Sequence, residues 1–222
     1  MEKTIKDFGR RNFIKKTATF TTALTGIVLF PQTVFAIDTT AEDDINIVGP
    51  KEGFSPQIGT LVSMMNWMRM VALSPVQKMT VEQLDYLHDP NANTIGAMLL
   101  HLAATEKYYQ LHTFEGKKWG SWDDTIKKQW DIPMSLGEPA RKKIKGNSLD
   151  YYLNTLKETR EKTISEFKKR DDAWLMTVDK EWPWGPTNNY CKWFHVCEHE
   201  SNHNGQIKWI KSRLPGAKPG ND

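Results

Sequence analysis

Cysteine is scarce in this chain: only Cys191 and Cys197 occur in 222 residues. Six positions apart on one helix, they point to faces about 120° from each other and sit about 9 Å apart along the axis. A disulfide between them would require the helix to break, so both are expected to be free thiols. The chain also lacks a convincing strand pair and an internal repeat, which leaves a helical architecture. No apolar run reaches the length of a membrane span. The nearest candidate, Thr17 to Phe30, is only mildly apolar and carries five threonines.

A charge excess is missing too, once the first 36 residues are set aside. The chain has 30 Lys and Arg against 27 Asp and Glu, of which six basic and two acidic residues precede position 37. The remaining 24 basic and 25 acidic residues give a net charge of −1. The basicity therefore belongs to the leader, and nothing global points to nucleic acid or an anionic membrane.

The leader reads MEKTIKDFGRRNFIKKTATFTTALTGIVLFPQTVFA. Arg10-Arg11 followed by Asn12, Phe13-Ile14 and Lys15 resembles a twin-arginine export signal. The small to medium residues Val34 and Ala36 suit a signal peptidase, so residues 1–36 are expected to be removed after Ala36. No cysteine follows directly, which argues against a lipid anchor. The mature chain is thus expected outside the cytoplasmic membrane, in the periplasm, without stable membrane insertion. This route carries folded proteins, so a metal could be loaded before export. Residues 37–54, with the breaker pair Gly49-Pro50, read as a flexible lead. Residues 55–214 form the expected domain, and 215–222 a tail.

Four helices are expected. Ser55-Pro56 reads as a cap and first helical position, and Ile58, Leu61, Met65, Met68 and Ala72 recur at spacings of three and four. This predicts a helix over 56–73. Thr94 caps a second helix, TIGAMLLHLAATEKYYQLHTF, apolar nearly all round in its first half and therefore buried. Residues 115–147 show no clear period beyond TIKKQW and read as a long, poorly structured connection. Ser148 caps a third helix along Leu149, Tyr152, Leu153, Leu156, Thr163, Ile164 and Phe167. EWPWGPTNN breaks the chain, Thr187 or Asn188 caps a fourth helix over 189–213, and Pro215 stops it. The fold class is all-α, a four-helix bundle.

The chemistry concentrates in HVCEHESNHNGQI, residues 195–207. Cys191, His195, His199 and His203 recur every four residues, so they share one face at a spacing of about 5–6 Å. Two imidazoles at that spacing reach one metal ion, whereas a packing stripe would normally be Leu or Val. His101, in an otherwise apolar helix, is a third candidate if the second and fourth helices meet. Three His ligands would leave positions open for water or substrate, the pattern of a catalytic site. His112, about 16 Å further along its helix than His101, is too distant to share that ion. Gln206 faces the same region as His203. Trp182, Trp184 and Trp193 gather where the fourth helix begins, as a pocket wall or as packing.

A competing reading takes His199-Glu200-Ser201-Asn202-His203 as the H-E-x-x-H signature of a zinc peptidase. It lacks a third ligand, because no Glu or His follows His203. It also lacks the strand edge along which a peptide would lie. Glu200 then reads as a surface or salt-bridged residue.

NTIGAMLLHLAATE and HVCEHESNHNGQI resemble the DinB-like superfamily of metal-binding four-helix bundles, over about 55–214. The resemblance implies an up-down-down-up bundle. It implies a divalent ion (Zn, Ni, Mn or Fe) on His101, His199 and His203, with His195, Gln206, Cys191 and Glu200 as neighbours. It also implies frequent dimerisation, hence an expected homodimer. Relatives include thiol-dependent transferases and isomerases, which points to a metal-dependent hydrolase or transferase acting on a small molecule. A non-catalytic metal- or ligand-binding module is the alternative. Family members often carry Arg after the last His, where this chain has Asn204.

Overall fold

The computed structural model describes residues 45–218. The expected export signal, the first part of the expected lead and the last four residues lie outside the described residues. The elements are α1 (Pro56–Leu73), a 3-10 turn (Ser74–Val76), α2 (Val81–Leu84), α3 (Ile95–Thr113), α4 (Asp124–Ser135), α5 (Gly137–Lys143), α6 (Leu149–Phe167), α7 (Asp172–Met176), β1 (Val178–Asp179), β2 (Thr187–Asn188) and α8 (Asn189–Lys211). No helix among the described residues is long and apolar enough to cross a membrane.

The long helices start where polar side chains can accept their first free N–H groups. Thr94 accepts from Ala97 N, Ser148 from Tyr151 N and Asn188 from Cys191 N. In α1 the cap comes from elsewhere. Ser55 makes no side-chain cap and instead donates to Asp172 Oδ1, whose carboxylate accepts from Gln57 N and Ile58 N. Asp172 thereby ties α7 to the start of α1, a link that sequence does not show.

The four long helices run up, down, down and up. Phe114 stacks on Trp193 at one end of the α3–α8 pair, while His101 meets His199 and His203 further along, so these two helices are antiparallel. Gly96 abuts Tyr152 and Gln110 bonds Thr163, so α3 and α6 run parallel. At Gly96 an added Cβ would stand 2.6 Å from the Tyr152 hydroxyl, so the absence of a side chain permits this approach. Helix α3 is the central one: 16 of its 19 residues are buried.

Two apolar clusters fill the bundle. One gathers Ile58, Leu61, Met65, Phe167 and Trp193; the other gathers the first half of α3 with Tyr152, Leu156, Ile207 and Ile210. On each long helix a charged residue falls between them: Arg69, Glu106, Arg160 and Glu200. Arg160 Nε donates to Glu106 Oε1 at 2.8 Å, and its Nη2 to Glu200 Oε1 at 2.8 Å. Arg69 Nη2 reaches Glu106 Oε2 and Glu200 Oε1 at 2.8 and 2.6 Å. Two cations and two anions close a buried square across all four helices. Glu200 is 1% exposed, so it is not a surface residue. Burial would push the Glu106 carboxyl up, but Arg160 and Arg69 outweigh it and hold it below its ordinary value.

Residues 115–147 are not the poorly structured connection that the sequence suggests: they contain α4 and α5. The lysines and Pro133 obscure the apolar face of α4. Trp130, Ile126, Ile132 and Met134 join the α3 cluster, and Asp123 caps the helix. A strand pair also exists, though only two residues long: Val178 pairs with Asn188 and Asp179 with Thr187. Residues 46–51 lie against α1, where Gly49 N–H donates to Ser63 Oγ and Trp67 Nε1–H to Asn46 Oδ1.

Candidate metal centre

The Thr94 and Asn188 caps set where α3 and α8 begin, and with them which side chains meet. Each of His101, His199 and His203 offers one ring nitrogen, and these atoms lie within 4.8 Å of one another. His101 Nε2 and His199 Nε2 are 2.8 Å apart, and the ring centroids of His199 and His203 are 4.6 Å apart. His101 Nδ1–H donates to the Pro133 carbonyl at 3.0 Å. A carbonyl only accepts, so Nδ1 carries the proton and Nε2 presents its lone pair to the cluster. The outer partner of this histidine thus comes from α4, within the stretch that sequence left without structure.

The helix end that supplies this carbonyl is locally strained. Leu136 has φ 54° and ψ −147°, a region that side chains disfavour. The turn sends the Gly137 N–H to Asn93 Oδ1 at 3.0 Å, away from Pro133.

All three rings are held neutral. Burial pushes His199 down to about 3, helped by His203, His101 and His195. Burial also pushes His203 down to about 4, helped by His101 and opposed by the Gln206 carboxamide. For His101, burial again lowers the value, opposed by its bond to Pro133. His203 Nδ1 is buried and has no hydrogen-bond partner among the described residues. Neutral imidazoles with an orphaned nitrogen are a donor set that suits a divalent ion of the Zn, Ni or Fe type.

His101 and His199 open onto a cavity of about 200 Å³. Tyr109, Trp119, Met134, Trp182, Pro183 and Trp184 wall it; Thr105 and His195 add polar groups. His195 lies one turn before His199, and its Nδ1 is 2.9 Å from the Tyr109 hydroxyl. Burial lowers the His195 value against the pull of Glu198.

The family model of the DinB superfamily matches residues 64–207. The chain belongs to the DinB superfamily. The matched span contains His101, His199 and His203 and all four corners of the buried charge square. No curated protein gives a sequence match. At the position after the last histidine, where DinB-like sequences often carry Arg, Asn204 is 8% exposed and its Oδ1 has no partner among the described residues.

The remaining sequence candidates fall at different places. Cys191 is exposed on the first turn of α8, and Cys197 is buried; both are free. Burial pushes the Cys197 thiol up to about 11. Gln206 is exposed, with its Nε2 donating to Asn202 Oδ1 at 3.0 Å. Trp182 and Trp184 do wall the cavity, whereas Trp193 is packing, fully buried against Phe114 and Phe167. His112 binds the Lys117 carbonyl and joins Asp179 and Lys192.

That last trio was not visible in the sequence. Lys192 is 1% exposed; its Nζ reaches Asp179 Oδ2 at 2.8 Å and His112 Nε2 at 2.9 Å, over the Trp182 ring. It fastens the segment between β1 and β2, which carries Trp182 and Trp184, to α3 and α8. Lys192 is one residue off the histidine face, so no periodic signal marks it.

Proposed function

We propose that this DinB-superfamily chain holds one divalent ion on His101, His199 and His203 and uses it as a hydrolase or transferase for a small molecule. The carrying observation is that the three imidazoles converge at the end of an aromatic cavity. With three protein ligands, an ion keeps a position free for water or substrate. When bound there, the ion supplies Lewis acidity: it polarises a substrate oxygen or lowers the pKa of bound water or thiol. The chain's own groups do the rest. Pro133 fixes the His101 tautomer, the tryptophans supply an apolar wall, and a hydrogen bond joins His195 Nδ1 and the Tyr109 hydroxyl at that wall.

The peptidase reading has no support in this geometry. Its general base would be Glu200, whose Oε1 is held by Arg69 and Arg160. The two-residue strand pair offers no edge for an extended peptide. Export through the leader belongs to the same proposal; the Arg10-Arg11 motif and the Val34-Phe35-Ala36 stretch support it.

Water relaxation of the manganese-loaded protein separates a catalytic from a closed site. Strong enhancement of water-proton relaxation, suppressed by small ligands, is expected for an open coordination position. Relaxation no greater than that of a fully enclosed ion would make the protein a binding module.

A further inference from the structure

The walls of the cavity beside the histidines select by chemistry. Tyr109, Trp119, Trp182 and Trp184 give it four aromatic sides, and Met134 and Pro183 complete an apolar lining. Thr105 and His195 are the polar lining groups away from the ligand histidines. Among the described residues no Lys, Arg, Asp or Glu lines it. Lys192, behind Trp182, is committed to Asp179 and His112. An anionic ligand body would lose its hydration here and find no side-chain cation in return.

Size narrows the class further. The cavity measures about 200 Å³. A cavity of roughly 150 Å³ accommodates one benzene ring. One substituted ring therefore fits within it, whereas a tripeptide-sized thiol would extend beyond it. Trp184 is 57% exposed although it walls the cavity, so a bound ring would cover apolar surface that water now meets. The Lys192–Asp179–His112 contacts hold the segment that carries both rings.

We infer that this cavity takes a single-ring aromatic or heteroaromatic molecule with an uncharged body and one ligating substituent directed toward His101 and His199. The ring preference rests on the walls alone; the ligating substituent rests on the metal centre proposed above.

Four probes separate these parts: phenol, benzohydroxamate, acetohydroxamate and reduced glutathione. Each is titrated by calorimetry into the metal-free and the zinc-loaded protein. Phenol is expected to bind both forms, with affinity falling about fivefold in Trp184→Ala, since an exposed ring contributes part of an aromatic contact. Benzohydroxamate is expected to bind the zinc-loaded protein about tenfold or more tighter than acetohydroxamate, the factor that burying one ring readily supplies. Phenol binding that depends on Trp184 in a protein that takes up no zinc would uphold the aromatic cavity and remove the metal centre. Equal affinity for the two hydroxamates on zinc-loaded protein would overturn the ring preference and leave the metal centre standing. Tighter binding of glutathione than of phenol to the metal-free protein would overturn it as well.

Discussion

His101 and Pro133 are joined by one hydrogen bond, Nδ1–H to backbone carbonyl, at 3.0 Å. The bond makes α4 the outer support of a ligand carried by α3. Removing such an outer partner usually weakens metal affinity by about 10- to 100-fold. Asn93 pins the corner after Pro133 through Gly137 N. Asn93→Ala acts on the ligand only indirectly. It is expected to lower zinc affinity by up to about tenfold while keeping one site per chain. Competition with a chelator of known affinity measures this. Unchanged affinity would mean that the α4 corner does not position His101.

The buried square of Arg69, Glu106, Arg160 and Glu200 makes a different demand. Removing one partner leaves the others buried and uncompensated, which costs about 3–5 kcal/mol. Glu106→Gln and Glu200→Gln should both show this loss in urea unfolding. A Glu200 that served only as a catalytic base would leave stability unchanged, so near-wild-type unfolding of Glu200→Gln would return weight to the peptidase reading.

Asp179→Ala strips Lys192 of its carboxylate. Hydrogen bonds to charged groups contribute about 1.5–3 kcal/mol. Asp179 is partly exposed, so solvent screening places the expected loss at the lower end of that range. The segment carrying Trp182 and Trp184 should loosen first, seen as faster hydrogen exchange over 178–188. Uniform exchange across the chain would contradict the role given to Lys192.

Acid should destabilise the metal-free protein. His199 and His203 titrate at about 3 and about 4 in the folded chain, against 6.5 for an unperturbed imidazole. Between those values the unfolded chain binds more protons than the folded one, so stability rises with pH. Its loss begins as pH falls below about 6.5 and continues toward 3. Melting temperature followed from pH 8 to pH 4 tests this. His199→Ala with His203→Ala should flatten the slope, and an unchanged slope would assign it to other groups.

Much of the bundle is legible in the sequence because its signals are local. Thr94, Ser148 and Asn188 announce helix starts, and the 3.6-residue period of α1 and α6 is visible in Ile58 to Ala72 and Leu149 to Phe167. The histidine pair His199 and His203 is legible because both ligands share one helix face. The hidden parts depend on pairing between distant segments. Pro133 falls in the stretch without a clear period, yet it lies in α4 and gives its carbonyl to His101. Glu200 reads as surface or salt-bridged, and sequence does not choose between them because the two arginines that pair with it lie 131 and 40 residues away. Asp172 caps α1 from 115 residues away. Helix α4 is amphipathic, but its lysines and Pro133 mask the apolar face until α3 is in place.

Elemental analysis tests the central claim most directly. The chain is purified without chelator beside His101→Ala and analysed for zinc, nickel, manganese and iron. About one ion per chain, largely lost in His101→Ala, is the expected result, because one ligand from α3 completes the pair on α8. Absence of metal from the unsubstituted chain even after reloading, or equal metal in both proteins, would contradict the three-histidine centre.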